Sequence, residues 1–182
     1  MKVITFVDIR DEAVAQIKAA LAAMSAGNKK LHIAAHPGMF DEAEIKRLSN
    51  QTPAVLTSFM RYAEENHTVS FVTWVLYRSD SKDRLYDGAL KIVSALIPII
   101  RDIDAEWCID GGADIDAECL YSGTLDQINV TLWGVRWDWQ IRETIFIDGE
   151  GGVPLDDLEY FEGYDATHLV GSAAVKDEVH LD

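Results

Sequence analysis

The chain has 182 residues, 48% of them hydrophobic and 26% charged, which is one domain of ordinary size plus an appendage, with a globular protein's composition. Its formal net charge of −15 argues against a surface that grips nucleic acid phosphates, which such a chain repels, and favours protein partners. No apolar run approaches the ~20 residues that span a bilayer, and Met1–Phe6 lacks the apolar region of a secretory signal, so no membrane partner is expected and the chain should stay in the cytoplasm where it is made.

The first helix is expected from Asp8 as N-cap, with Ala13, Val14, Ile17, Ala20, Leu21 and Met24 at helical spacing and a stop at Gly27-Asn28. Leu31–Ala35 reads as a short strand that turns at His36-Pro37-Gly38. Asp41, with Glu44 three residues on, predicts a capped short helix through about Leu48, which must end before Pro53. Two strands follow, Ala54–Tyr62 and Val69–Arg78, joined by the polar stretch Glu64–His67. Leu85, Ala89, Ile92, Val93, Leu96 and Ile100 mark the strongest helix, which Pro98 should kink or end early.

Ala105–Cys108, a turn at Gly111-Gly112 and Ile115–Tyr121 suggest a further hairpin. The clearest strand is Asn129–Ile141, where Trp133, Val135, Trp137, Trp139 and Ile141 alternate with Gly134, Arg136, Asp138 and Gln140. The order of elements argues for an α+β fold, a mainly antiparallel sheet with two main helices packed on one face. The boundary falls at Arg142. Residues 1–142 form the domain, and residues 143–182, with eleven acids against Lys176 alone, read as an acidic arm or disordered tail.

Little in the chain assembles into chemistry. Asp110, Asp114, Asp116 and Glu118 open like a calcium loop, but Cys119 stands where its glycine belongs and Leu125 where its glutamate belongs. His32, His36, His67, His168 and His180 show no zinc spacing with one another or with Cys108 and Cys119, so no metal and no cofactor is expected. The two thiols read as free and buried, or as a bridge across one hairpin. No nucleophile, base and orienter can be combined, so the chain is not expected to be an enzyme. Trp133, Trp137 and Trp139 share one face of one strand. That face is either core or an interface patch, with Trp139 as the candidate at an edge.

The sequence of features, His36-Pro37-Gly38, Thr52-Pro53-Ala54-Val55-Leu56, the strand Val69–Tyr77, the helix start at Leu85-Tyr86 and Trp133-Gly134-Val135-Arg136-Trp137-Asp138, resembles the Mu-like phage and prophage tail terminator family. These are small proteins encoded between the head genes and the tail sheath gene. The resemblance covers residues 8–142 and rests on element order and short segments. It implies a tail-terminator-like fold and a virion location in the tail or neck, after assembly in the host cytoplasm. It also implies a homo-oligomeric ring, a hexamer, that caps tube and sheath of a contractile tail, stops its polymerisation and joins it to the neck or head-completion protein. DNA would pass through the ring without specific binding, and either the acids Asp110, Asp114, Asp116 and Glu118, held between strands and so favoured, or the acidic tail would line the hole. The alternatives are a neck or head-completion connector, and an acidic DNA mimic that inhibits a DNA-binding protein.

Overall fold

A computed structural model describes residues 4–24, 31–125 and 128–142, and the backbone of two later strands, 163–170 and 173–180. The chain divides into two compact units, Met1–Asp148 and Gly149–Asp182. The first is an α+β unit with a mixed five-stranded sheet and three helices.

Helix α1 (Phe6–Met24) starts two residues before the expected cap. Thr5 is the N-cap: its hydroxyl oxygen accepts from the Asp8 N–H at 3.1 Å, while the Asp8 carboxylate accepts from the Thr5 N–H at 2.8 Å. This reciprocal pair is a capping box, with Asp8 as its acid rather than its cap. Ile9, Ala13, Ile17 and Leu21, four apart, form the buried stripe, and Met24 is exposed.

Strand β1 (His32–Ala35) lies at one edge of the sheet and pairs parallel with β2 (Ala54–Ala63). The parallel step is made through α2 (Glu42–Ser49), whose cap Asp41 accepts from the Glu44 N–H at 2.7 Å. A short turn of 3-10 helix (Glu64–Asn66) and His67, at φ 49°, lead into β3 (Thr68–Arg78), antiparallel to β2. Helix α3 (Lys82–Arg101) runs through Pro98 to Arg101, with the proline in its last turn.

The expected hairpin around Gly111-Gly112 is not there. Ala105–Cys108 is a turn, whose backbone joins the sheet where Cys108 bridges Ile141 and whose Trp107 ring packs on Trp139. The chain instead enters one long strand, β4 (Ala113–Leu125), which pairs antiparallel with β5 (Ile128–Gln140). The order is β1-β2-β3-β5-β4, so the tryptophan strand is interior and β4 is the second edge. Gly112 makes this passage possible: its N–H donates to the Ile100 carbonyl at 2.9 Å, and a Cβ there would lie 2.5 Å from that oxygen.

Helices α1 and α3 cover one face of the sheet and build the main core with Val55, Phe71, Val75, Val135, Trp137 and Trp139. Helix α2 lies on the other face, where Leu48 packs with Ala54, Leu56, Leu76 and Leu132. In the second unit, β6 (Gly163–Val170) and β7 (Ala173–His180) pair antiparallel within the segment read as an arm. The rest of the arm, 143–162, 171–172 and 181–182, lies outside the described residues.

Candidate functional site

The tryptophans of β5 come first, because the sequence singled them out. Trp137 is 1% exposed and stacks on Phe71 of β3 with centroids 4.5 Å apart. Its indole N–H donates to the Thr73 hydroxyl at 3.0 Å, and Thr73 meets the Thr57 hydroxyl at 3.2 Å. A polar chain thus crosses β5, β3 and β2 inside the core. Such a chain is satisfied in one register only.

Trp139 is fully buried against Trp107, and Trp133 is 7% exposed beneath Tyr86 of α3. The interface reading of Trp133, Trp137 and Trp139 is therefore corrected: the three rings fill the subunit's own core. The physical reason is the position of β5. An interior strand under two helices has no free face on that side to offer a partner.

The acids of the supposed hairpin are also redistributed. Asp110 sits in the loop before β4, while Asp114, Asp116 and Glu118 lie along β4 itself, all exposed. Alternate positions put Asp116 and Glu118 on one side of an edge strand. Asp116 stands opposite Arg136 of β5, and Glu118 binds that guanidinium at 2.9 Å. Bulges interrupt the pairing between Ala113 and Asp116 and between Cys119 and Tyr121, and Asp114 takes φ 48°.

Both cysteines are free. Cys108 is buried, and burial pushes its thiol pKa up, whereas Cys119 is exposed on β4. Among the described residues no group of three or more His, Cys, Asp or Glu side chains could hold a metal ion.

The sequence reading missed the other edge of the sheet. Two open concavities flank the start of β1. One, of about 550 Å³, is lined by Leu31, Tyr77, Arg84, Asp87, Gly88 and Lys91 among others. The second, of about 450 Å³, includes Lys18, Leu31, His32 and Asn50. Gly88 gives Tyr77 its space, since a Cβ there would collide with the tyrosine ring. The cations come from α1 and α3, far apart in sequence, and no local pattern in the sequence joins them.

The site that emerges is thus a pair of unlike sheet edges, one bordered by cations and one by carboxylates. No protein-family model and no curated protein matches this chain.

Proposed function

We propose that this chain is a non-catalytic phage structural protein, a tail terminator. Copies close into a ring on the last layer of tail tube and sheath, stop polymerisation and present a face to the neck protein. The observation that supports this reading is the open sheet with two dissimilar edges, β1 and β4, that pair with no further strand among the described residues. A subunit that must hold one neighbour on each side needs two different surfaces, and a head-to-tail contact closes into a ring when its rotation divides the circle. A homohexamer, with DNA passing through the hole without specific binding, is the assembly that the resemblance implies.

The decisive experiment is deletion of the gene in the phage or prophage that carries it, followed by electron microscopy. The expected result is tube and sheath of uncontrolled length with heads left unjoined, restored by the gene in trans. Tails of normal length that fail to join heads would move the protein to the neck. Normal joined particles would overturn the structural role.

One observation favours a second reading. Asp116 and Glu118 stand at alternate positions of β4, so their carboxylates lie about 7 Å apart on one side of the strand, a spacing that suits a mimic of successive phosphates. A DNA mimic would bind a basic DNA-binding protein in the absence of any tail component, and the deletion would leave tails unchanged.

A further inference from the structure

The concavities beside the start of β1 have a chemistry that the described residues leave without a counterpart. The larger has a floor of four half-buried apolar side chains, Leu31, Pro53, Tyr77 and Ile92, with the exposed cations Arg84 and Lys91 of α3 beside them. The smaller shares Leu31 and adds Ile33 and the exposed Lys18 of α1. None of the three cations makes an ion pair among the described residues, and Asp87 is the one acid in either lining. The complement of such a surface is a segment that is apolar and acidic at once.

The chain itself carries such a segment. Val153-Pro154-Leu155-Asp156-Asp157-Leu158-Glu159-Tyr160-Phe161-Glu162 holds four acids, five apolar side chains besides its proline, and no lysine or arginine. The glycine-rich stretch Gly149-Glu150-Gly151-Gly152 stands between it and the domain. Its starting point is fixed by the sheet. β5 runs parallel to β1 and β2, and Gln140 faces Thr68, which faces Ala63 at the far end of β2. Arg142 therefore leaves the sheet at the end opposite Leu31 and Pro53, about 36 Å away along the strands at about 3.3 Å per residue. Residues 143–152 span that distance only when drawn out to nearly full length. A head-to-tail row of copies, in which the arm end of one faces the concavity end of the next, removes that demand.

We propose that residues 153–162 of one copy dock in the cation-lined concavities at the β1 edge of the next, with their acids set against Lys18, Arg84 and Lys91 and their apolar side chains on the floor around Leu31 and Tyr77. The inference rests on the self-assembly reading above and supplies it with a link between neighbours. The contact is heterologous, an arm on one copy and a concavity on the other, which is the kind that closes into a ring. Each arm is tethered, so once two copies touch, its effective concentration at the neighbour is high and a modest intrinsic affinity suffices. The cations are exposed, so salt weakens the charged part of the contact, and the apolar part persists.

The test is the association of the full chain, followed by analytical ultracentrifugation over a range of concentrations at low and high salt, with circular dichroism as the check on folding. The wild type should form oligomers that loosen as salt rises. Asp156→Lys with Asp157→Lys and Glu159→Lys should weaken association by about tenfold or more, and so, separately, should Arg84→Glu with Lys91→Glu. Equal amounts of these two variants, mixed, should recover it. In the mixture each reversed arm finds a reversed concavity, and each acidic arm finds a cationic one. Leu155→Ser with Leu158→Ser should weaken association at high salt as well as at low.

A wild type that is monomeric throughout would overturn both the docking and the ring. Oligomers that neither set of reversals changes would overturn the docking and leave the ring standing. Weakening by the concavity reversals only would overturn it too, and would give the β1 edge to another acidic partner. Weakening by the arm reversals only would overturn it by sending the arm elsewhere. Folded variants that fail to recover on mixing would overturn the link between copies, and recovery with all the charge reversals in one chain would then return the segment to its own concavities.

Discussion

His36 is held through both ring nitrogens. The Gly38 N–H donates to Nδ1 at 3.0 Å, so the ring hydrogen sits on Nε2, which donates to Glu44 at 2.9 Å. Phe40 stacks on the ring with centroids 4.3 Å apart, and the three contacts fasten the turn after β1 to the first turn of α2. Arg47 also donates to the Glu44 carboxylate, and these bonds, Arg47's first and His36's second, lower its pKa from 4.5 to about 2. A carboxyl depressed on folding stabilises the native state above its unfolded pKa and loses that contribution as pH falls from 4.5 towards about 2. Glu44→Gln should therefore lower the urea midpoint at pH 7, and its gap from the wild type should narrow as pH falls through that window. Arg47 is exposed, so water screens its share and the gap should be modest. A gap that does not change with pH would show that the carboxylate's charge contributes nothing. In the core, Thr73→Val leaves the Trp137 N–H without an acceptor and should cost about 1–3 kcal/mol, read from urea unfolding. Combined with Trp137→Phe, which removes that donor, the loss should be less than the sum of the two single losses.

Among the elements, β5 carries the most and was the most legible. Its period-two tryptophans announced a strand with an apolar face, and the residues on that face are buried. Trp133→Ala and Trp139→Ala should each cost about 3–5 kcal/mol of folding stability, since both rings are enclosed by the subunit itself. A Trp139→Ala chain of wild-type stability would mean that the ring is not packed as described. The helices were legible for the same reason, an apolar period long enough to stand out, and α2 through its cap. What the sequence hid was pairing. β1 has four residues, and nothing in His32–Ala35 says that its partner lies parallel across a helix. In β4 the alternating acids looked like a loop, because an edge strand is wet on one side and its polar positions carry no burial signal. The glycine pair there was read as a hairpin turn, whereas Gly112 is needed to pass the end of α3. Gly112→Ala should cost about 1–3 kcal/mol by forcing β4 away from Ile100, measurable as a lower melting temperature.

At the scale of the whole molecule, the described buried residues all lie between Ile9 and Ile141, within the unit Met1–Asp148. A chain ending at Asp148 should therefore unfold in one cooperative transition with a midpoint close to that of the full chain. A broad or early transition would show that the remaining residues complete the core. The candidate site was the least legible part, because its two edges are set on opposite sides of the sheet only by the strand order. The strand order has a further consequence, in time rather than space. β5 is the last strand of the large sheet to be synthesised, yet it lies between β3 and β4. While the ribosome is still upstream of Ile128, β4 has no neighbour within the sheet and β3 bares Phe71 and Val75 on a side that nothing yet closes. The sheet cannot be closed strand by strand as it emerges; the tryptophans arrive last and close it in one step. Until then each nascent chain exposes the unpaired strands that bring chains together prematurely. A carboxylate-rich chain repels its copies during that interval, so the net charge of −15 protects the chain before it is finished.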